Sequence, residues 1–294
     1  MKMTLEQLRI FVAVAERQHV TRAAEALGIA QSAASGAVAA LEARHGVRLF
    51  QRVGRGIELT EAGRLFRQEA EAVLARAEAA ELALSELGGL LRGVLSVQAS
   101  QTIAGYWLPR HLVAFRRAHP GVEIRLAIGN TAQVAAAVHG GGAELGFVEG
   151  AVQDPLLAER MVAADQLILV VAAGHPWAAA PPAGLAEMVA TGGWVLREAG
   201  SGTRSEFEAA LRHQGLPPGG LRVALELPSN EAVRGAVEAG MGATVISASV
   251  AAPGIEAGLL HHVPLALPQR AFKAVWHRER QPSRAAQALL ALIG

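Results

Sequence analysis

Apolar residues at Leu5, Leu8, Phe11, Val12 and Ala15 return every three or four positions, which predicts an amphipathic helix over about 4–17. Thr4 stands before it as an N-cap, and Gln7 lies where a capping box needs its partner. A second short helix is predicted over about 20–27, capped by Thr21, with Ala23, Ala24 and Leu27 facing inward. Gly28 follows, where a left-handed residue ends a helix at little cost. A third helix spans about 31–45 and is closed by Gly46. Two short helices across a tight glycine-containing turn have the geometry of a helix-turn-helix. Residues 47–52 and 57–60 then read as two short strands around a Gly/Arg tip, a hairpin wing. A three-helix bundle with an ordinary hairpin would show the same spacing.

From 60 to 90 the chain has no proline, and Phe66, Ala70, Val73, Ala77, Ala80, Leu84 and Leu87 alternate spacings of four and three. That is the 3.5-residue repeat of a coiled-coil seam. A long helix packed on its own domain would carry the same stripe. Gly88, Gly89 and Gly93 mark a hinge. Beyond it, strands at 94–99, 122–128 and 145–149 alternate with helices at 103–118 and 132–139. The pattern pauses over 150–161. A second set follows: strands at 167–172, 194–196, 222–226 and 244–247, with helices near 185–189, 205–214 and 230–239. A strand at 272–276 and a helix at 283–293 end the chain. Such alternation predicts a parallel or mixed α/β sheet with helices on both faces. The body is too long for one small sheet, so two lobes joined by two crossover strands are expected.

The strand-to-helix junctions carry the candidate chemistry. Ser100-Gln101-Thr102, Asn130-Thr131, Ser201 to Thr203 in a Gly-Ser-Gly-Thr run, and Ser229-Asn230 each place hydroxyls, amides and free N–H groups at a helix start. Ligands of open α/β sheets bind outside the carboxyl ends of the strands, and helix N-termini favour anions. Taken singly, each junction is also what simple helix capping would produce.

Composition narrows the function. The 294 residues suggest about two domains, and 51% of them are hydrophobic, enough for a sizeable core. There are no cysteines, which removes disulfides, thiolate metal sites and a thiol nucleophile. HExxH is absent, and the Gly200-Ser-Gly-Thr203 run lacks the lysine of a phosphate-binding Walker loop. No catalytic residues, metal site or cofactor is therefore expected, and the chain reads as a non-enzyme. It shows no signal peptide and no apolar run long enough to span a bilayer, so a soluble cytoplasmic protein with no membrane partner is expected. The net charge is only +1, but residues 1–60 hold eight Lys/Arg against five Glu, while residues 61–91 hold three Arg against six Glu. A basic head and an acidic spacer suit different partners. In a helix-turn-helix the second helix of the motif enters the major groove by its N-terminal end. That sets Gln31, Ser32 and Ser35 against base edges, with Thr21 and Arg22 beside them and Arg52 and Arg55 on the wing.

Leu8-Arg-Ile-Phe-Val-Ala-Val-Ala-Glu16, Thr21-Arg-Ala-Ala-Glu-Ala-Leu-Gly-Ile-Ala-Gln-Ser-Ala-Ala-Ser35, Leu41-Glu42, Gly46-Val-Arg-Leu-Phe-Gln-Arg52 and Leu59-Thr-Glu-Ala-Gly63 together closely resemble the N-terminal domain of LysR-type transcriptional regulators. The resemblance implies a winged helix-turn-helix over 1–60, a dimerising linker helix over 61–91 and a two-lobed α/β effector domain over 92–294. That domain is built like a periplasmic solute-binding protein, with lobe I at about 92–161 and 266–294 and lobe II at about 162–265. One departure stands out: Gly36, Ala37 and Val38 replace the long polar arms common after the serine at 35, and Gly36 costs about 1 kcal/mol of helix propensity. Carried over, the resemblance makes Ser100, Thr102, Asn130, Thr131, Thr203 and Asn230 effector contacts, with Gln101, Phe147 and Ser201 beside them. Glu149 would repel an anion unless paired with an arginine such as Arg204, and so would select a ligand with a donor. Ser100 to Pro109 resembles the regulators of sulfur assimilation, which points to an oxyanion such as sulfate or sulfite, or to a small carboxylate. The implied partners are double-stranded promoter DNA, the effector, RNA polymerase and further copies of the chain in a homodimer or homotetramer. The alternative is a non-enzymatic solute receptor whose head is a protein-interaction module.

Overall fold

The computed structural model describes residues 3–53, 56–86 and 93–294, which separate into two compact units. The first is built from α1 (Leu5–Arg17), α2 (Val20–Leu27), α3 (Gln31–His45), the hairpin β1 (Phe50–Val53) with β2 (Gly56–Leu59), and α4 (Glu61–Glu86). The Thr4/Gln7 capping box opens α1 with both reciprocal bonds at 3.2 Å. Gly28 ends α2 at φ 66°, a conformation in which a side chain would be strained, so the turn into α3 needs glycine there. Two details depart from expectation. The cap of α2 is His19, whose Nδ1 accepts from the Arg22 N–H, and not Thr21. Leu27 stays 37% exposed, because the inward face of this two-turn helix is already filled by Ala23 and Ala24.

The core of this unit centres on Phe11, whose ring lies 5.5 Å from that of Phe50 and 4.8 Å from that of Phe66. Burying an aromatic side chain contributes about 1.5–3 kcal/mol. Glu42 ties α3 to the wing, its carboxylate accepting from the N–H groups of Leu49 at 2.7 Å and Phe50 at 3.0 Å. Strand register pairs Phe50 with Leu59 and Val53 with Gly56.

The second unit follows in the order β3 (Gly93–Ser100), a π-helical turn at Ile103–Trp107, α5 (Leu108–Ala118), β4 (Val122–Gly129), α6 (Thr131–Gly140), β5 (Leu145–Glu149) and β6 (Leu157–Ala172). It continues with α7 (Pro176–Ala179), α8 (Leu185–Thr191), β7 (Gly193–Arg197), α9 (Gly202–His213), β8 (Arg222–Leu227), α10 (Asn230–Glu238) and β9 (Ala243–Ser247). α11 (Ala248–Glu256), β10 (Leu260–Val263), β11 (Gln269–His277) and α12 (Arg284–Ile293) complete it. Strand order is β4-β3-β5-β11-β6-β9-β7-β8, with β10 also on β6. β3, β4 and β5 are parallel, as are β7, β8 and β9, while β6 and β11 run antiparallel to their neighbours.

β6 makes the two-lobed plan. Residues 157–166 pair with β11 in the first lobe, and residues 167–172 pair with β9 and β10 in the second. The apparent pause in the sequence pattern is thus partly the first half of this strand. Each lobe has its own core: Leu95, Val97, Phe115, Phe147 and Leu289 in one, Leu169, Trp194, Phe207, Leu211 and Val245 in the other. Among the described residues, no helix is long and apolar enough to cross a membrane.

Candidate functional site

In the first unit the predicted reading helix is α3. Ala34 and Leu41 are buried in the core, while Gln31, Ser32 and Ser35 are exposed. Thr21, Arg22 and Arg52 are exposed as well. Arg55 lies outside the described residues. The N-cap of α3 is Ala30, which has no side-chain acceptor to offer, so no side chain caps the first-turn N–H groups. Uncapped donors at the positive end of a helix dipole suit a phosphate.

α4 places the seam residues unequally. Ala70 is 1% exposed and Phe66 packs beside it against the head's own core, as a helix lying on its own domain would do. Farther along, Val73 is 42% exposed, Ala77 half-buried and Ala80 exposed. Leu84 and Leu87 lie outside the described side chains.

In the second unit the strand ends of one lobe meet the helix starts of the other, and most of the sequence-chosen polar residues come together there. Ser100, Thr102, Asn130, Thr131, Glu149, Ser201, Thr203 and Asn230 are all buried. The Asn230 side-chain amide donates to the Thr102 hydroxyl at 3.0 Å, and the Asn230 N–H donates to Gln101 Oε1 at 2.9 Å. Gln101 in turn donates to the Pro228 carbonyl at 2.8 Å. Thr131 donates to the Glu149 carbonyl at 2.6 Å, and the Ala132 N–H donates to the Gly200 carbonyl at 3.2 Å. Gly202 begins α9 against this surface. A β-carbon there would collide with the Glu149 carbonyl and lie 2.6 Å from the Thr131 hydroxyl, so only glycine permits the approach. Phe147 is not part of the junction. It sits in the first lobe's core, 6.0 Å from the Trp107 ring.

Capping accounts for some of these residues. Asn130 and Gln133 exchange bonds of 2.9 and 3.0 Å at the start of α6, and Ser229 accepts from the Ala232 N–H at 3.0 Å at the start of α10. Ser201, the N-cap of α9, makes no capping bond.

Glu149 pairs with Arg270, not with Arg204. Arg204 is turned to Glu208 at 2.8 Å and to Glu226. Burial alone would lower its pKa, but its bonds to those two carboxylates outweigh burial and raise it. Arg270, with its side chain 1% exposed, is the organising cation. Its Nε donates to Asp165 at 2.7 Å, Nη1 to Thr203 at 3.0 Å and Nη2 to Thr102 at 3.4 Å. Nη1 also lies 3.6 Å from Glu149 Oε1, while the Ser100 hydroxyl donates to Oε2 of the same carboxylate. Beside this cluster, Arg197 bonds both oxygens of Glu198, at 2.7 and 2.9 Å, and the Asn230 side-chain carbonyl. Burial pushes the Glu198 carboxyl up, but Arg197 more than compensates and holds it below its ordinary value.

Arg270, Asp165 and Arg197 were not singled out from the sequence. The available signal was alternation: Arg270 occupies an inward position of β11, in step with Phe272 and Ala274. A cation in a buried register needs an anionic partner, and Asp165 and Glu149 meet that need.

Two family models match. Residues 5–64 match the bacterial regulatory helix-turn-helix protein of the lysR family, and residues 88–294 match the LysR substrate binding domain. The HTH-type transcriptional regulator YeiE of Escherichia coli K12 is 34% identical over 293 residues, 99% of this chain and 97% of that one. Full-length CbnR in complex with its target DNA is similar over 99% of this chain and 97% of its own, with a TM-score of 0.71 and 25% identity. The CcmR regulatory domain of Synechocystis PCC6803, in complex with 2-PG, covers 69% of this chain and 96% of its own, with a TM-score of 0.62 and 24% identity. With a helix-turn-helix head, a substrate-binding body and a relative matched along nearly its whole length, this chain belongs to the LysR family of bacterial transcriptional regulators.

Proposed function

We propose that the chain is an effector-controlled regulator that binds promoter DNA as a homodimer or homotetramer and acts on RNA polymerase there. The heads read the operator through Gln31, Ser32 and Ser35 on α3, with Arg52 on the wing against the backbone. The N-terminal end of a recognition helix is the part that meets base edges. Short side chains at that end leave more of the discrimination to DNA shape. Val73, Ala77 and Ala80 of α4 pair subunits, so that two heads face a pseudo-palindromic site.

In the second unit a small effector bearing an anionic group binds between the lobes. The observation that carries this reading is the burial, at one inter-lobe junction, of hydroxyl and amide groups from four helix starts together with Arg270. The effector acts through its different affinity for the two lobe arrangements, the only way a ligand can shift such an equilibrium. The likeness of Ser100 to Pro109 to regulators of sulfur assimilation makes sulfate and sulfite the first oxyanions to test.

The test is the double variant Thr102→Val, Thr203→Val. Ligand-dependent changes in operator binding should disappear, while ligand-free operator binding in a gel shift stays as in the parent. A normal response from the double variant would show that the effector binds elsewhere.

A further inference from the structure

The charges at the lobe junction do not suit a bare oxyanion. Arg197 and Arg270 face three carboxylates there: Glu149, Asp165 and Glu198. At the centre, the single guanidinium of Arg270 serves both Glu149 and Asp165. Asp165 is fully engaged, with Oδ2 on Arg270 and Oδ1 accepting from the Ser247 hydroxyl at 2.8 Å. Glu149 is not. Its Oε2 accepts from Ser100, but Oε1 accepts no hydrogen bond among the described residues and lies 3.6 Å from Arg270, beyond bonding range. Oε1 thus has an ion-pair partner in Arg270 but no hydrogen-bond donor among the described residues, and a donor there would complete it.

The same junction also holds unused donors. The Thr102 hydroxyl accepts from Asn230 and Arg270, and the Thr203 hydroxyl accepts from Arg270. Neither donates its own proton to another described residue, and the two threonines are each 1% exposed. The site thus offers two buried hydroxyl protons beside the start of α9 and one anionic oxygen that accepts no hydrogen bond among the described residues. A sulfate or a simple carboxylate would use the first set and give Glu149 Oε1 no donor, adding negative charge where three carboxylates already share two arginines. A simple amine would use Glu149 and leave the hydroxyl protons unused.

We infer that the effector carries both charges: an anionic group held by Thr102, Thr203 and the start of α9, and an ammonium group donating to Glu149 Oε1. An α-amino acid or a close relative has this pairing. The inference rests on the reading of the junction as the effector site and adds the ligand's chemical class.

The test uses the full-length chain, with thermal shift followed by titration calorimetry. The probes are the twenty standard α-amino acids, carboxylates matched to them but lacking the amine (propionate for alanine, succinate for aspartate), sulfate and sulfite. At least one amino acid should raise the melting temperature and bind about tenfold or more tightly than its amine-free match, the range expected for a hydrogen bond to a buried charge. Glu149→Gln should erase that preference by weakening the amino acid and not its match, with unchanged operator binding reporting that the variant is folded. Glu149→Asp, which keeps the charge, should retain part of it. Sulfate, sulfite or amine-free carboxylates binding in preference to every amino acid, or a preference that survives Glu149→Gln, would overturn the ammonium assignment. If Thr203→Val abolishes that binding, the effector site itself stands. Ligand binding untouched by Thr203→Val would overturn both readings, as would no response to any probe.

Discussion

Ala30 stands at a position usually held by a residue with a side-chain oxygen. A serine, threonine, aspartate or asparagine there would accept from the free N–H groups of the first turn and contribute about 0.5–2 kcal/mol to stability. With alanine, those N–H groups at the start of α3 are left without a side-chain acceptor, beside exposed Gln31 and Ser32. Their use as phosphate donors gives a test in which stability and function move in opposite directions. Ala30→Asp supplies the cap and sets a negative charge where a phosphate would dock. It should leave the melting temperature unchanged or higher and weaken operator binding about tenfold or more, a loss equal to one or two charge-assisted contacts. Melting curves and gel-shift titrations on the same preparation check this. Undiminished operator affinity would show that the α3 start does not meet the backbone. Arg270 makes the complementary point in the second unit, where a single residue determines whether two buried carboxylates are tolerable.

At the scale of elements, α4 is divided along its length, and its proposed pairing role falls on the far part. Phe66 and Ala70 belong to the head's own core, so the heptad stripe is partly used up within one chain. Beyond them Val73 and Ala80 are exposed and Ala77 is half-buried. Val73→Pro separates the roles, since proline in a helix interior costs about 3 kcal/mol and breaks the helix beyond the head. The head should still fold, but tight operator binding should be lost and the stoichiometry on DNA should fall. A gel-shift titration identical to the parent's would exclude pairing through this helix. Where periodicity was strong, the elements could be read from sequence: α1, α2, α3, β5 and the parallel strands of both lobes lie close to where their patterns put them. The misses have physical causes. The first half of β6 is only half-buried and does not alternate cleanly, so it reads as a loop. α11 contains Pro253 and Gly254, two residues that ordinarily break helices. β10 is four residues long and depends on pairing with β6. The hydroxyls and amides of the junction were visible because they sit at helix starts. Arg270 and Asp165 were hidden because each lies inside a strand, and their partners are distant in sequence.

For the whole molecule, the consequence of a regulator with two ligands is thermodynamic and needs no assumption about how head and body are arranged. If an effector changes operator affinity by some factor, operator DNA must change effector affinity by the same factor, because both are legs of one cycle. Coupling of this kind is typically about 1–3 kcal/mol, or roughly 5–150-fold. For any ligand that raises the melting temperature, four dissociation constants on the full-length chain close the cycle. The effector is titrated with and without operator DNA, and operator DNA with and without saturating effector. The two ratios should agree within error and depart from one. The Thr102→Val, Thr203→Val variant should lose the coupling while keeping its ligand-free operator affinity. Ratios of one in both legs, with transcription in a purified system still responding to the ligand, would place the control in the shape of the bound DNA. The effector would then select between two equally tight complexes that differ in what they offer to RNA polymerase.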